Sequence, residues 1–125
     1  MIIFDHTTIE LRDDGIIQLT TSEFFSFTIK ETKEGVDAIG KLGGGKEMPV
    51  LKIAGEWSTV DGESRRFCAS EEGGRFSLAE AIVIKTLAHQ IIGNFYLQVE
   101  KPAKPTKLFT QVDLAINWLK TFKKI

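Results

Sequence analysis

The sequence predicts a single α/β domain over residues 1–125, with a mixed, mostly parallel sheet, an N-terminal β-hairpin and about four helices. Three observations predict it. The second half alternates strand and helix with almost no surplus residues, which calls for a parallel sheet with helices packed on it. An Asp-Gly pair lies between two β-rich runs near the N-terminus, and both residues tolerate the positive φ of a tight hairpin turn. Between these regions a Thr-x-x-Glu pattern, an apolar stripe and three glycines mark a helix that is capped at one end and stopped at the other.

The hairpin strands are Thr8 to Leu11 and Ile16 to Leu19, joined by Arg12-Asp13-Asp14-Gly15, with room for a further strand nearer Ile2. Thr20 to Phe27 is a connection holding Phe24, Phe25 and Phe27, more aromatic surface than a solvated loop favours. Thr28 caps the first helix, with Glu31 reaching back to it, and Ile29, Val36, Ile39 and Leu42 form its apolar stripe. Gly43-Gly44-Gly45 ends that helix, and Pro49 opens a buried strand, Val50 to Ala54. Ser58 starts a second helix, with Asp61 and Glu63 in the first turn where negative charge is favoured, and Gly73-Gly74 stops it. Ala79 to Lys85 is the next strand.

Thr86 to Val99 follows as a helix. Its Leu87, Ile91 and Phe95 share a face with Ala88, Ile92 and Val99 alongside, a stripe wide enough to predict heavy burial. Gly93 inside it predicts close approach to the sheet or a neighbour. Lys101 to Pro105 is a stiff connection to a strand at Lys107 to Phe109. The last helix, Thr110 to Phe122, buries Val112, Ala115, Ile116, Leu119 and Phe122, with Lys120, Lys123 and Lys124 at its negative end.

Composition narrows function by exclusion. Hydrophobic residues make up 42% and charged residues 26% of the chain, ordinary values for a globular domain, and the net charge is -1. There is no bulk electrostatic case for a nucleic-acid partner. A single cysteine, Cys68, excludes an internal disulfide and a multi-thiolate metal site. No apolar run approaches the roughly 18–20 residues of a membrane span, and the N-terminus lacks a basic region followed by an apolar stretch. A cytoplasmic protein without stable membrane insertion is the expectation.

No residue set has catalytic spacing. Gly40 to Lys46 matches the G-x-x-x-x-G-K part of a phosphate-binding loop, but position 47 is Glu, and the run closes a helix where such a loop would open one. His6 and His89 lie in different elements, neither with a second ligand at metal-binding spacing, so no metal or cofactor is expected. Cys68, inside the second helix, reads as a small buried hydrophobe without a paired base. Asp13-Asp14 and Glu71-Glu72 read as solvated turns, and Lys101, Lys104 and Lys107 as a solvated face without aromatic interleaving.

Two groups remain. Trp57-Ser58-Thr59-Val60-Asp61 follows a strand of the parallel sheet, where open α/β folds place ligands or partners, and its hydroxyls suit helix capping, an anion or a phosphate. Phe24, Phe25 and Trp118 are aromatic residues without an assigned place, suited to core packing, a homodimer contact or an apolar-ligand pocket.

The runs Pro49-Val50-Leu51, Arg66 to Gly73, Ile91-Ile92-Gly93-Asn94-Phe95-Tyr96, Lys101-Pro102, Pro105 to Thr110 and Ala115 to Leu119 resemble a group of small bacterial SpoIIAA-like proteins, related in fold to the STAS domain. The resemblance covers about residues 28 to 122. It implies a mixed sheet with helices mainly on one face, no cofactor, and action by binding a protein partner. In characterised anti-sigma-factor antagonists a Ser or Thr at the start of the helix after the third strand is phosphorylated to switch partners. The matching place here is Ser58 or Thr59, although the Asp-Ser-Ser-Gly type of loop is replaced by Trp57 to Asp61. The expected function is therefore a non-catalytic regulatory module acting through that loop. The alternative is a carrier of an apolar or acidic metabolite held between helix and sheet.

Overall fold

The computed structural model describes residues 1–122; Lys123 and Lys124, expected at the end of the last helix, lie outside the described residues. The hairpin forms where the Asp-Gly signal puts it. Gly15 takes a φ of 82°, and Asp14 accepts hydrogen bonds from the Ile16 amide and the Arg12 guanidinium. Strands β2 (Thr7–Leu11) and β3 (Ile17–Thr21) pair antiparallel, and β1 (Ile2–Ile3) adds outside β2.

Helix α1 (Ile29–Leu42) begins at Thr28, whose backbone N–H and hydroxyl both donate to the Glu31 carboxylate, each at 2.9 Å. Parallel strands β5 (Met48–Ile53), β7 (Ser77–Val83) and β8 (Thr106–Phe109) then extend the sheet from β3, in the order β1-β2-β3-β5-β7-β8. Each step moves the same way, and crossovers of constant hand then leave the connecting helices on one face. That face carries α1, α2 (Gly62–Ala69) and α3 (Leu87–Phe95), while α4 (Val112–Lys120) lies on the other.

Period-two alternation divides the strands between two cores. Ile9, Ile17, Leu19 and Val50 pack under Ala38 and Ile39 of α1. Leu51, Ala79, Ala81 and Val83 pack under Ala115 and Leu119 of α4.

Three boundaries differ from expectation. The second helix starts at Gly62 with Asp61 as its cap, accepting the Ser64 amide at 2.9 Å, and it ends at Ala69, ahead of Gly73. Ser58 is not its start, because Thr59–Val60 instead form a short strand, β6, parallel to β4 (Ser26–Phe27). The 86–99 helix is two pieces: α3, capped by Thr86, and a π-helical turn over Tyr96–Glu100 that ends at Lys101 with a left-handed φ of 53°.

Both capping carboxylates are held below their ordinary range, Glu31 by the Thr28 backbone and hydroxyl and Asp61 by Ser64. A carboxylate with a lowered pKa contributes stability above its unfolded pKa and loses it as pH falls. Glu31→Gln and Asp61→Asn variants are therefore expected to lose less melting temperature than the parent between about pH 6 and about pH 3, followed by circular dichroism.

Candidate functional site

On the three-helix face the alternation that buries Val50 also turns Lys52 of β5 and Glu80 of β7 toward the helices. The register pairs Val50 with Glu80 and Lys52 with Ile82, so the two charges are diagonal neighbours. They meet at 2.8 Å, Lys52 Nζ to Glu80 Oε1, and the other Glu80 oxygen accepts from the Ser77 hydroxyl at 2.9 Å. An ion pair thus occupies the middle of a sheet face whose other residues are mainly Val, Leu and Ile, with Thr7 and Thr21 toward one end.

Above the pair the helices do not close. A cavity of about 350 Å³ remains between this sheet face, α1, α2, the segment at 54–60 and α3 with its π-turn. Its walls are mainly apolar, from Leu19, Val36, Ile39, Ile82, Ile92 and Leu108, and Gly35 leaves space on the α1 side. Lys52, Cys68 and Tyr96 also line it. Tyr96 is only 6% exposed, and its hydroxyl has no hydrogen-bond partner among the described residues.

Burial alone would push the Lys52 ammonium down, but the Glu80 charge prevails and carries its pKa above the ordinary lysine value. Burial pushes the Cys68 thiol and the Tyr96 phenol up, only partly opposed by Lys52. Near neutral pH the Lys52 ammonium, the Cys68 thiol and the Tyr96 phenol are therefore all protonated.

The mouth lies between α3 and the segment preceding α2. Contrary to the burial expected from its wide stripe, α3 contains no buried residue. Ala88, Ile92 and Gly93 face the cavity, while Leu87 is 77% and Ile91 60% exposed on the outer side. The close approach predicted at Gly93 is present: a Cβ there would lie 2.6 Å from Leu108 Cδ1. His89 ties the helix down. Its Nδ1 accepts from the Lys85 amide at 3.3 Å and its Nε2 lies 3.0 Å from the Ser58 carbonyl, the pattern of a neutral ring protonated at Nε2. Arg65 of α2 donates to Glu100 at 2.8 Å and to the Val60 carbonyl at 2.6 Å, fastening the π-turn to the same rim.

The segment Trp57 to Asp61 forms that rim, with its members in different roles. Ser58 is buried and its hydroxyl donates to the Gly55 carbonyl at 2.7 Å. Thr59 is exposed, its hydroxyl donating to Ser26 at 3.2 Å, and Asp61 caps α2. Trp57 is 55% exposed at a left-handed φ of 61°, beside Phe24, which is also left-handed and exposed and whose amide donates to the Glu56 carbonyl.

The aromatic group is not brought together. Phe25 packs in a cluster with His6 and Phe27, tilted on one ring and edge-on to the other, whereas Trp118 lies across the sheet between Phe109 and Phe122 as part of the α4 core. Of the phenylalanines only Phe27 lines the cavity. The residues that sequence reasoning passed over are Lys52, Glu80 and Tyr96. A signal for the first two existed: one charged residue each in the apolar runs VLKI and AEAIV, in neighbouring strands. Among the described residues, no three His, Cys, Asp or Glu side chains gather as a metal site would require.

An α/β domain with a lined cavity under one helix layer is the class that fold and site define. The chain belongs to the family described as a domain of unknown function, DUF7793, whose model matches residues 9–123. No curated protein matches it. Among solved structures, a protein of unknown function from Arthrobacter sp. FB24 aligns with 90% of this chain and 98% of its own, at 21% identity and a TM-score of 0.32.

Truncating Glu80 would leave Lys52 charged and unpaired in a desolvated wall. Glu80→Ala is expected to cost about 3 kcal/mol or more in urea unfolding, and the double change Lys52→Met with Glu80→Leu to recover most of it.

Proposed function

We propose that this protein is a non-catalytic binding module that takes a small, largely apolar molecule into the cavity beneath α1, α2 and α3. The observation that supports this best is the cavity's size and lining. A space of about 350 Å³ lined mainly by apolar side chains falls within the size range of small-molecule sites. Walls this apolar give water few partners, so an apolar guest is the better occupant. The protonation pattern supports binding over chemistry, since a nucleophile needs a thiolate, a free amine or a nearby base. The neutral dye N-phenyl-naphthylamine is expected to brighten on binding the parent. Gly35→Leu, placed on α1 with no backbone strain, should abolish that signal at equal or higher melting temperature, because replacing a helical glycine gains up to about 1 kcal/mol. A parent that leaves the dye dark would sink this reading.

A second reading, the STAS-like regulatory module with a protein partner, is favoured by Trp57, an exposed indole held at a backbone angle that costs about 1 kcal/mol or more. If a kinase acts on the rim, accessibility selects Thr59 over the buried Ser58. Mass spectrometry of protein from its native host is expected to find phosphate on Thr59 and none on Ser58. An unmodified Thr59 would count against the switch and leave the cavity reading intact.

A further inference from the structure

We infer that two copies of this chain associate through the outer face of α3, each laying Leu87, Ile91, Phe95 and Val99 against the same row of the other about a two-fold axis. The inference stands independently of what fills the cavity.

Two helices of the same layer differ in what they show to solvent. The outward residues of α1 include Lys30, Lys33, Asp37 and Lys41, all exposed, as the solvent side of a helix ordinarily is. The outward row of α3, continued into the π-turn, is Leu87 at 77%, Ile91 at 60%, Phe95 at 44% and Val99 at 61% exposure. These residues recur every four positions, so they line up as one strip. At such exposures the strip presents roughly 500 Å² of mainly apolar surface, against the ~800 Å² that each partner of a standard interface buries. Gln90, Asn94 and Gln98 beside it supply a polar rim toward the remainder.

Charge selects a second copy as the occupant. A two-fold contact sets a patch against itself, so formal charges of one sign within it would repel. From Thr86 to Val99 the chain carries no Lys, Arg, Asp or Glu, and His89 is turned inward to the Ser58 carbonyl. Arg65, whose guanidinium lies 5.8 Å from the Phe95 ring centre, is matched by Glu100 at 2.8 Å. Lys85 and Lys101 stand beyond the two ends of the strip, where water and salt screen them. The rim amides both donate and accept, so they pair with copies of themselves. A strongly charged partner finds no counter-charge along this strip, and an anionic membrane surface calls for Lys and Arg along the helix itself.

The test is sedimentation equilibrium of the full chain at about 100 μM, enough to populate a micromolar dimer, and the expected result is the mass of two chains. Ile91→Glu and Ile91→Lys change an exposed position, so each should keep the parent's circular dichroism. Each alone should sediment as a monomer, its self-association weakened about a hundredfold or more by the facing like charges. Mixing the two variants in equal amounts should restore the two-chain mass, because the facing charges are then opposite. A monomeric parent overturns the proposal, and capture of that monomer by phosphatidylglycerol vesicles would assign the strip to a membrane surface instead. Dimers that survive both substitutions place the contact elsewhere and overturn it equally. Two folded monomers that stay apart when mixed rule out the pairing of α3 with α3.

Discussion

An ion pair placed where the core should be governs this structure. Taking both Lys52 and Glu80 out of water costs several kcal/mol per ion, and the cost is recovered only with good geometry and further hydrogen bonds. The two charges lie 2.8 Å apart, and the Ser77 hydroxyl supplies a further hydrogen bond to the other Glu80 oxygen. What packs above the pair is constrained in turn. Elements arriving over it bring small or polar side chains, Cys68 from α2 and Tyr96 from the π-turn, where Leu or Phe would smother the charges. The other face of the same strands shows the contrast. There Leu51, Ala79, Ala81 and Val83 meet Ala115 and Leu119 in an apolar core. One residue further along β5 and β7, the same sheet supports a cavity.

The outer wall of that cavity is the least anchored helix. Thr86 caps it, His89 ties it to Ser58, Gly93 rests on Leu108, and Glu100 holds Arg65 just beyond its end. None of its own residues is buried, so apolar burial contributes little to holding it. Segments with so little buried surface open locally at low free energy, which makes α3 the part of the wall that yields first. The π-turn suits that place, since irregular helical turns gather at functional sites.

Local chemistry was legible in the sequence where a residue's partner lies a few positions away. The Asp14-Gly15 turn and the Thr28–Glu31 capping box appear where their signals put them. The parallel sheet and its strands also followed from alternation, with ends shifted by a residue or two. Two misreadings share a cause. The stripe on α3 was visible, but periodicity reports that a face is apolar and says nothing of what covers it. Ser58, Thr59 and Asp61 are all good caps, and only the pairing of β6 with β4 and the turn closed by Gly55 decide for Asp61. The cavity itself was out of reach, because it depends on a register that sets Lys52 diagonal to Glu80 and on helices that stop short of them.

The two functional readings meet at one hydrogen bond. A guest occupying the space beside Ile92 and Gly93 bears on α3, and α3 holds the rim through His89 and the Ser58 carbonyl. Coupling between a cavity and a docking surface needs an element with two arrangements that the guest distinguishes energetically. The β4–β6 pairing limits how far the loop can follow, so movement of α3 would bear first on Trp57, just ahead of β6.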